Sequence, residues 1–109
     1  MIVGAGRSGR SLLRELRETP GERVVGFLDD DPLLRGQRLH GVRVLGGTAQ
    51  SASALARTRA DAVVVTIGGA PPERLAEVLS ASEEAGVPVQ FVRRALSDAP
   101  PPLVQAPSR

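Results

Sequence analysis

Five short apolar runs alternate along the chain with segments whose apolar residues recur at helical spacing. The runs are rich in Val and Ile and are apolar on both faces, which is typical of parallel strands covered by helices on both sides. We predict strands over residues 1–3, 23–28, 42–45, 62–67 and 87–92.

The segments between these strands predict three helices, over residues 7–19, 48–57 and 71–85. Thr48 is a candidate N-cap of the second helix. In the third helix, Leu75, Val78 and Leu79 fall at positions i, i+3 and i+4 and are expected to form its inner face. Residues 30–41 show no helical period and are predicted to be a loop that connects two strands.

This alternation predicts one α/β domain of the Rossmann-like kind. Right-handed crossovers place the five strands in one parallel sheet, ordered 3-2-1-4-5 and flanked by helices. We assign residues 1–95 to this nucleotide-binding domain. Residues 96–109 contain three consecutive prolines and are predicted to be an extended tail or linker.

Composition excludes several functions. The 109 residues include no Cys, Lys, Tyr or Trp, so thiol, lysine and tyrosine chemistry are absent. The pI is 10.9 although the net charge is only +2, because the chain has no Cys, Lys or Tyr that would titrate at moderately basic pH. The high pI is therefore no sign of a basic surface, and with only two aromatic residues for base stacking we expect no nucleic-acid partner. No apolar run reaches the length of a membrane helix, so the chain itself is expected to be soluble, cytoplasmic and without membrane contact. We also expect no metal cofactor.

A glycine-rich loop carries the strongest chemical signal. Gly4, Gly6 and Gly9 form a GxGxxG pattern that follows a strand and opens a helix. Such glycines allow a tight turn, a close approach of phosphate to the backbone, and close packing of helix on strand. Arg7 and Ser8 lie in the same turn, and we predict that they also contact the phosphate. Two alternatives stay open: the glycines serve only the turn between strand and helix, and Arg7 is a solvated surface residue.

A second signal is acidic. Asp29 lies 20 residues after Gly9, where Rossmann domains place a carboxylate that accepts hydrogen bonds from ribose hydroxyls. Asp30 is an equal candidate, whereas we expect Asp31 to stabilise the turn with Pro32. A carboxylate at this position repels a 2′-phosphate, which favours NAD over NADP.

Two further candidates lie at the end of the fourth predicted strand and just after it. Thr66 and Gly68 are beside the point where the strand order reverses, which is where such sheets bind ligands. The only histidine, His40, is predicted to be a surface turn residue. No catalytic residue is therefore assigned.

Four strings of residues, taken together, resemble a known family: GAGRSGRSLLRELR, VVGFLDDDP, HGVRVLGG and ADAVVVTIGGAPPERL. They resemble the Rossmann-like, CoA-binding-type domain of bacterial polysaccharide-biosynthesis proteins, namely nucleotide-sugar epimerase/dehydratases and polyprenyl glycosylphosphotransferases. The resemblance covers about residues 1–95. It implies that the three glycines form the phosphate loop, and that Asp29 and Asp30 form the acidic strand end.

The resemblance also implies a ligand and a context. The ligand is NAD or a UDP-sugar, with CoA as a further candidate. The setting is cell-envelope polysaccharide synthesis, in which the parent protein is anchored in the membrane and this domain lies on the cytoplasmic side. The family's dehydratases use a lysine that this chain lacks, so we expect a binding module that is not catalytic alone. A small NAD-dependent oxidoreductase and a ligand-free structural or oligomerisation domain, such as a homodimer, stay open as alternatives.

Overall fold

A computed structural model describes residues 1–67, 72–93 and 103–105 of the chain. Its helices are α1 (Arg7–Arg17), α2 (Ser51–Thr58) and α3 (Pro72–Ala85), and a 3-10 turn over Thr48–Gln50 precedes α2. Its strands are β1 (Ile2–Val3), β2 (Phe27–Leu28), β3 (Arg38–Leu39), β4 (Val42–Gly46), β5 (Val63–Ile67), β6 (Val89–Arg93) and β7 (Leu103–Gln105).

These strands form one sheet in the order β3-β4-β2-β1-β5-β6-β7. The five central strands are parallel, and their order is the predicted 3-2-1-4-5. The fold class is therefore confirmed. Two short antiparallel strands extend the sheet beyond the prediction, one at each edge.

One added strand forms a hairpin within the predicted loop over residues 30–41. β3 pairs antiparallel with β4, and the two residues between them, His40 and Gly41, have φ angles of 52° and 85°. Positive φ at both positions is characteristic of a type I′ turn, which matches the twist of a two-stranded ribbon. His40 is exposed and its carbonyl accepts a hydrogen bond from Arg17, so it is a surface turn residue as predicted.

The other added strand lies in the predicted tail. Leu103–Gln105 pairs antiparallel with β6 and continues the sheet at its edge. Within the segment predicted to be an extended tail or linker, residues 96–109, these three residues thus belong to the sheet, and the remainder of that segment lies outside the described residues. The physical reason is that an edge strand presents unpaired N–H and C=O groups, which an apolar segment can pair with.

Alternation along the central strands divides the core between the two faces of the sheet. Ile2 and Phe27 pack with Leu12 and Leu13 of α1 on one face, whereas the next residue of each strand faces the other helices. On that second side, Val3, Leu28 and Val65 pack with α2 and α3. Covering a sheet on both faces explains why its strands are apolar throughout.

The inner face of α3 differs from the prediction. Val78 is buried and Leu75 is partly buried, as expected, but Leu79 is 39% exposed. Ala81 and Ser82 take the inner positions one turn further on. The helix is therefore rotated so that small residues, rather than a third large one, contact the sheet side of the domain.

Helix α1 begins unusually close to the strand before it. A methyl group placed on Gly9 would overlap the carbonyl oxygen of Gly4, so only a residue without a side chain fits there. Gly6, the N-cap residue of α1, has nothing within 4 Å of the equivalent position and a φ of −78°, which any residue adopts.

We predict that Gly9→Ala destabilises the domain by about 2 kcal/mol or more, because the added methyl group forces α1 away from β1. Gly6→Ala is the matched control, and we expect it to cost less than about 1 kcal/mol. Urea unfolding followed by far-ultraviolet circular dichroism measures both. Equal stability of the two variants would contradict the close contact at Gly9.

Candidate functional site

A cleft of about 530 Å³ lies at the carboxyl ends of β1, β2 and β5. In the sheet, β1 lies between β2 on one side and β5 on the other. The chain passes from β1 through α1 to β2 and later returns to the opposite side of β1 as β5, so the cleft lies where the strand order reverses. Its lining residues are Val3, Gly4, Gly6, Arg7, Ser8, Gly9, Leu28, Asp29, Asp30, Asp31, Thr48, Val65, Thr66 and Arg74.

The predicted site residues therefore meet in one place. Those within the described part of the chain all line the cleft: Gly4, Gly6, Arg7, Ser8, Gly9, Asp29, Asp30 and Thr66. Gly68 lies outside the described residues. Placement at the cleft is what the structure gives, and the binding roles stay predictions.

Three glycines of the loop have three different surroundings. Gly4 has a φ of +107°, and a methyl group there would overlap the hydroxyl of Thr66. Gly9 is packed against the Gly4 carbonyl, whereas Gly6 faces empty space. Two of the glycines are thus required by the fold itself, and Gly6 alone leaves room for a ligand.

The amino terminus of α1 opens onto this space. No side chain caps the helix, and its first turn contains no acidic residue. The first N–H groups of a helix have no partner within it and carry a partial positive charge. Arg7 lines the cleft beside them, while the Arg10 Nε donates to the Gly6 carbonyl at 3.3 Å. This arrangement suits a phosphate group.

Asp29 connects the end of β2 to the glycine loop. Its Oδ2 accepts a hydrogen bond from the Ala5 N–H at 2.7 Å, and its Oδ1 accepts one from the Asp31 N–H at 2.8 Å. A carboxylate has about four acceptor positions. About two therefore remain on Asp29, one on each oxygen, in an arrangement that suits two neighbouring hydroxyl groups.

Asp30 has different partners. Its Oδ1 accepts a hydrogen bond from the Thr48 N–H at 2.8 Å, and the Thr48 hydroxyl lies 3.2 and 3.0 Å from its two oxygens. Arg74 approaches Oδ2 with an Nη1 at 3.5 Å. The predicted capping role of Thr48 is wrong, because the N-cap residue is Gly47 for the 3-10 turn and Gln50 for α2, and Thr48 instead donates hydrogen bonds to Asp30.

Asp31 and Thr66 have structural partners. The Asp31 Oδ1 accepts a hydrogen bond from the Leu33 N–H at 2.9 Å, which stabilises the turn after β2 as predicted. The buried Thr66 hydroxyl donates to the Val3 carbonyl at 3.0 Å and joins β5 to β1. Thr66 therefore shapes the cleft wall against Gly4, and its oxygen keeps acceptor capacity toward a ligand.

Sequence reasoning missed Arg74 as a cleft residue. It lies in the first turn of α3 and contacts the site through Asp30, 44 positions earlier in the chain. The available signal was a basic residue in the first helical turn after β5, beside the predicted ligand crevice. That signal is weak, because surface arginines are common in exposed helix turns.

Neither a metal cluster nor a membrane span is found in the described part of the chain. Within residues 1–67, 72–93 and 103–105, no three His, Asp or Glu side chains gather in a group that could hold a metal ion. Among the same residues, no helix has both the length and the apolar character that a membrane crossing requires.

Solved structures with a similar fold include a UDP-D-quinovosamine 4-dehydrogenase from Vibrio fischeri. It matches with a TM-score of 0.77 at 18% identity, over 98% of this chain and 91% of that one. A Rex-family repressor, RSP, matches with a TM-score of 0.69 at 21% identity, over 91% of this chain and 46% of that one. RSP in complex with β-NADH matches with a TM-score of 0.66 at 20% identity, over 98% of this chain and 48% of that one. The chain thus spans about half the length of the repressor.

Family comparison gives a closer assignment. No curated protein sequence matches the chain significantly. Residues 1–101 match the family model of the TrkA-N domain, which is most of the chain. The chain belongs to the TrkA-N domain family, which has a Rossmann-like fold of the NAD(P)-binding type.

Proposed function

We propose that this domain binds NAD(H) in the cleft and acts as a nucleotide-binding module rather than as an enzyme by itself. The observation that carries the proposal is the empty space over Gly6 at the uncapped start of α1. A pyrophosphate there receives N–H groups of the first helical turn and lies beside Arg7.

Asp29 is the proposed ribose contact. Its remaining acceptor positions accept the two hydroxyls of a ribose, and the Ala5 N–H holds the carboxylate against the loop. The glycine loop and Asp29 therefore form one connected unit, which binds the phosphate and the sugar of one nucleotide. Asp30 assists indirectly, because its oxygens already have Thr48 and Arg74 as partners.

A UDP-sugar is the second candidate ligand, with CoA as a third. The motif resemblance to polysaccharide-biosynthesis proteins supports the UDP-sugar, as does the structural similarity to a UDP-sugar dehydrogenase. In that case the domain belongs to a cytoplasmic part of a cell-envelope assembly. NAD is favoured because one of the similar structures holds β-NADH, and because the chain belongs to the TrkA-N family.

A binding role is favoured over catalysis by the side chains present. The chain has no Lys, Tyr or Cys, and its one histidine is in the β3–β4 turn. The cleft residues in the described ranges supply carboxylates, hydroxyls and guanidinium groups. Hydride transfer to a substrate also requires a positioned acid or base. The carboxylates of Asp29 and Asp30 are hydrogen-bonded to the protein and are assigned to binding and positioning.

Ligand identity is tested by calorimetric titration with NAD, NADH, NADP, UDP-glucose and CoA at up to millimolar concentration. We expect NAD and NADH to bind, and NADP to bind at least about tenfold more weakly, because Asp29 and Asp30 repel the 2′-phosphate. Tighter binding of UDP-glucose than of NAD would transfer the assignment to the nucleotide-sugar. Absence of heat with all five ligands would refute a nucleotide-binding role.

We predict that Gly6→Val abolishes nucleotide binding while the domain stays folded, because the side chain fills the space for the phosphate. Ala56→Val adds comparable bulk on the exposed side of α2 and is expected to bind normally. Calorimetry reports the affinity, and circular dichroism reports folding. Unchanged affinity of the folded Gly6→Val protein would remove the glycine loop from the site.

Replacing Asp29 tests the ribose contact. Asp29→Asn loses the charge and one acceptor oxygen, so we expect NAD to bind about tenfold more weakly or worse. The preference for NAD over NADP should narrow, since the repelling charge is gone. Asp31→Asn is the control, because the Asn side-chain oxygen can still accept the hydrogen bond from the Leu33 N–H. An equal effect of both substitutions on the NAD to NADP ratio would contradict a specific role for Asp29.

A further inference from the structure

We propose that Arg74 is the base-stacking residue of the cleft, and that Asp30 and Thr48 position it. This inference rests on the proposed function, in that the ligand carries a nucleobase. Arg74 supplies the flat surface on which the base lies, and its ion pair with the Asp30 carboxylate keeps the guanidinium at the cleft.

The Arg74–Asp30 ion pair connects the two walls of the cleft. Asp30 follows β2, and Arg74 lies in the helix that follows β5, while β1 runs between those two strands. Strands two positions apart are about 9–10 Å from each other. The arginine side chain therefore reaches across the crevice at the end where the glycine loop begins.

Asp30 is itself held in place, which makes it a suitable anchor. The N–H and the hydroxyl of Thr48 both bind its carboxylate, which is three-quarters buried. Arg74 meets this fixed group through one Nη1 atom at 3.5 Å, and its side chain is 52% exposed. This ion pair keeps the guanidinium at the cleft, and the exposed half of the side chain is accessible to a base.

A nucleobase in this cleft has no aromatic ring to stack on among the described lining residues. The chain has only two aromatic residues, and both belong to the core: Phe27 is fully buried and Phe91 packs against the apolar cluster beneath α3. Guanidinium is planar, delocalised and weakly hydrated, and it stacks on nucleobases where an ammonium group does not. Arg74 is the lining residue that combines this chemistry with contacts to both walls.

An alternative role for Arg74 is that of a point charge that attracts the phosphates. The Arg74→Lys variant distinguishes the two roles. Lysine keeps the positive charge and can still pair with Asp30, but it has no planar group on which a base can stack. The two roles also separate by ligand: inorganic pyrophosphate carries the phosphates without a base. Arg57→Lys, on the exposed surface of α2, is the matched control.

The experiment measures the affinity of NAD and of pyrophosphate for the wild-type chain, Arg74→Lys and Arg57→Lys by calorimetry. We expect Arg74→Lys to weaken NAD binding by about tenfold and pyrophosphate binding by less than twofold. A second readout is the circular dichroism induced in the adenine band, which has no Trp or Tyr background in this chain. That signal should fall in Arg74→Lys even at saturating NAD.

Positioning by Asp30 is tested with Asp30→Asn alone and combined with Arg74→Lys. We expect the double variant to bind NAD hardly more weakly than Arg74→Lys, since both changes remove the same stacked arrangement. Fully additive losses would overturn the positioning role.

Several outcomes overturn the inference, and each is distinct from failure of the proposed function. Equal NAD affinity of Arg74→Lys and wild type overturns it, as does an equal loss for NAD and pyrophosphate, which would assign Arg74 a point-charge role. If the wild type binds UDP-glucose instead of NAD, the same variants are compared with UDP-glucose and the same criteria apply. Wild-type protein that binds no nucleotide refutes both proposals together.

Discussion

The contact between Gly9 and the carbonyl of Gly4 is the constraint on which the rest of the site depends. It sets α1 directly against the end of β1, with no side chain between the two backbones. Because the helix starts there, its unpaired N–H groups open toward the crevice between β2 and β5. The direction of the helix and the position of its partially positive amino-terminal end are therefore fixed by the same contact.

The electrostatic design of the cleft follows from what surrounds it. The amino-terminal end of α1 is partially positive, and the end of β2 carries three consecutive aspartates. The hydrogen bond from the Ala5 N–H to Asp29 joins the two, so that the carboxylate and the loop keep their positions relative to each other. A nucleotide, which has a phosphate beside a sugar diol, matches this division of charge along the cleft.

Neighbouring aspartates have separate roles because each finds different partners after folding. Asp29 turns toward the glycine loop, Asp30 toward Thr48 and Arg74, and Asp31 toward its own turn. The sequence treats Asp29 and Asp30 as equivalent, since they differ by one position at the end of a strand. The partners that separate them come from the glycine loop, the 3-10 turn before α2, and α3, which no local pattern brings together.

The pattern of residues by itself determined the architecture: five apolar runs separated by helical segments admit few arrangements, and right-handed crossovers select one of them. It also located the glycine loop and the acidic strand end, because both depend on spacing within a short segment. Tertiary structure alone decided which face of α3 is buried, that residues 103–105 extend the sheet, and that Arg74 meets Asp30. Each of these depends on groups far apart in the chain, whose free energy is gained only when the packed sheet brings them into contact.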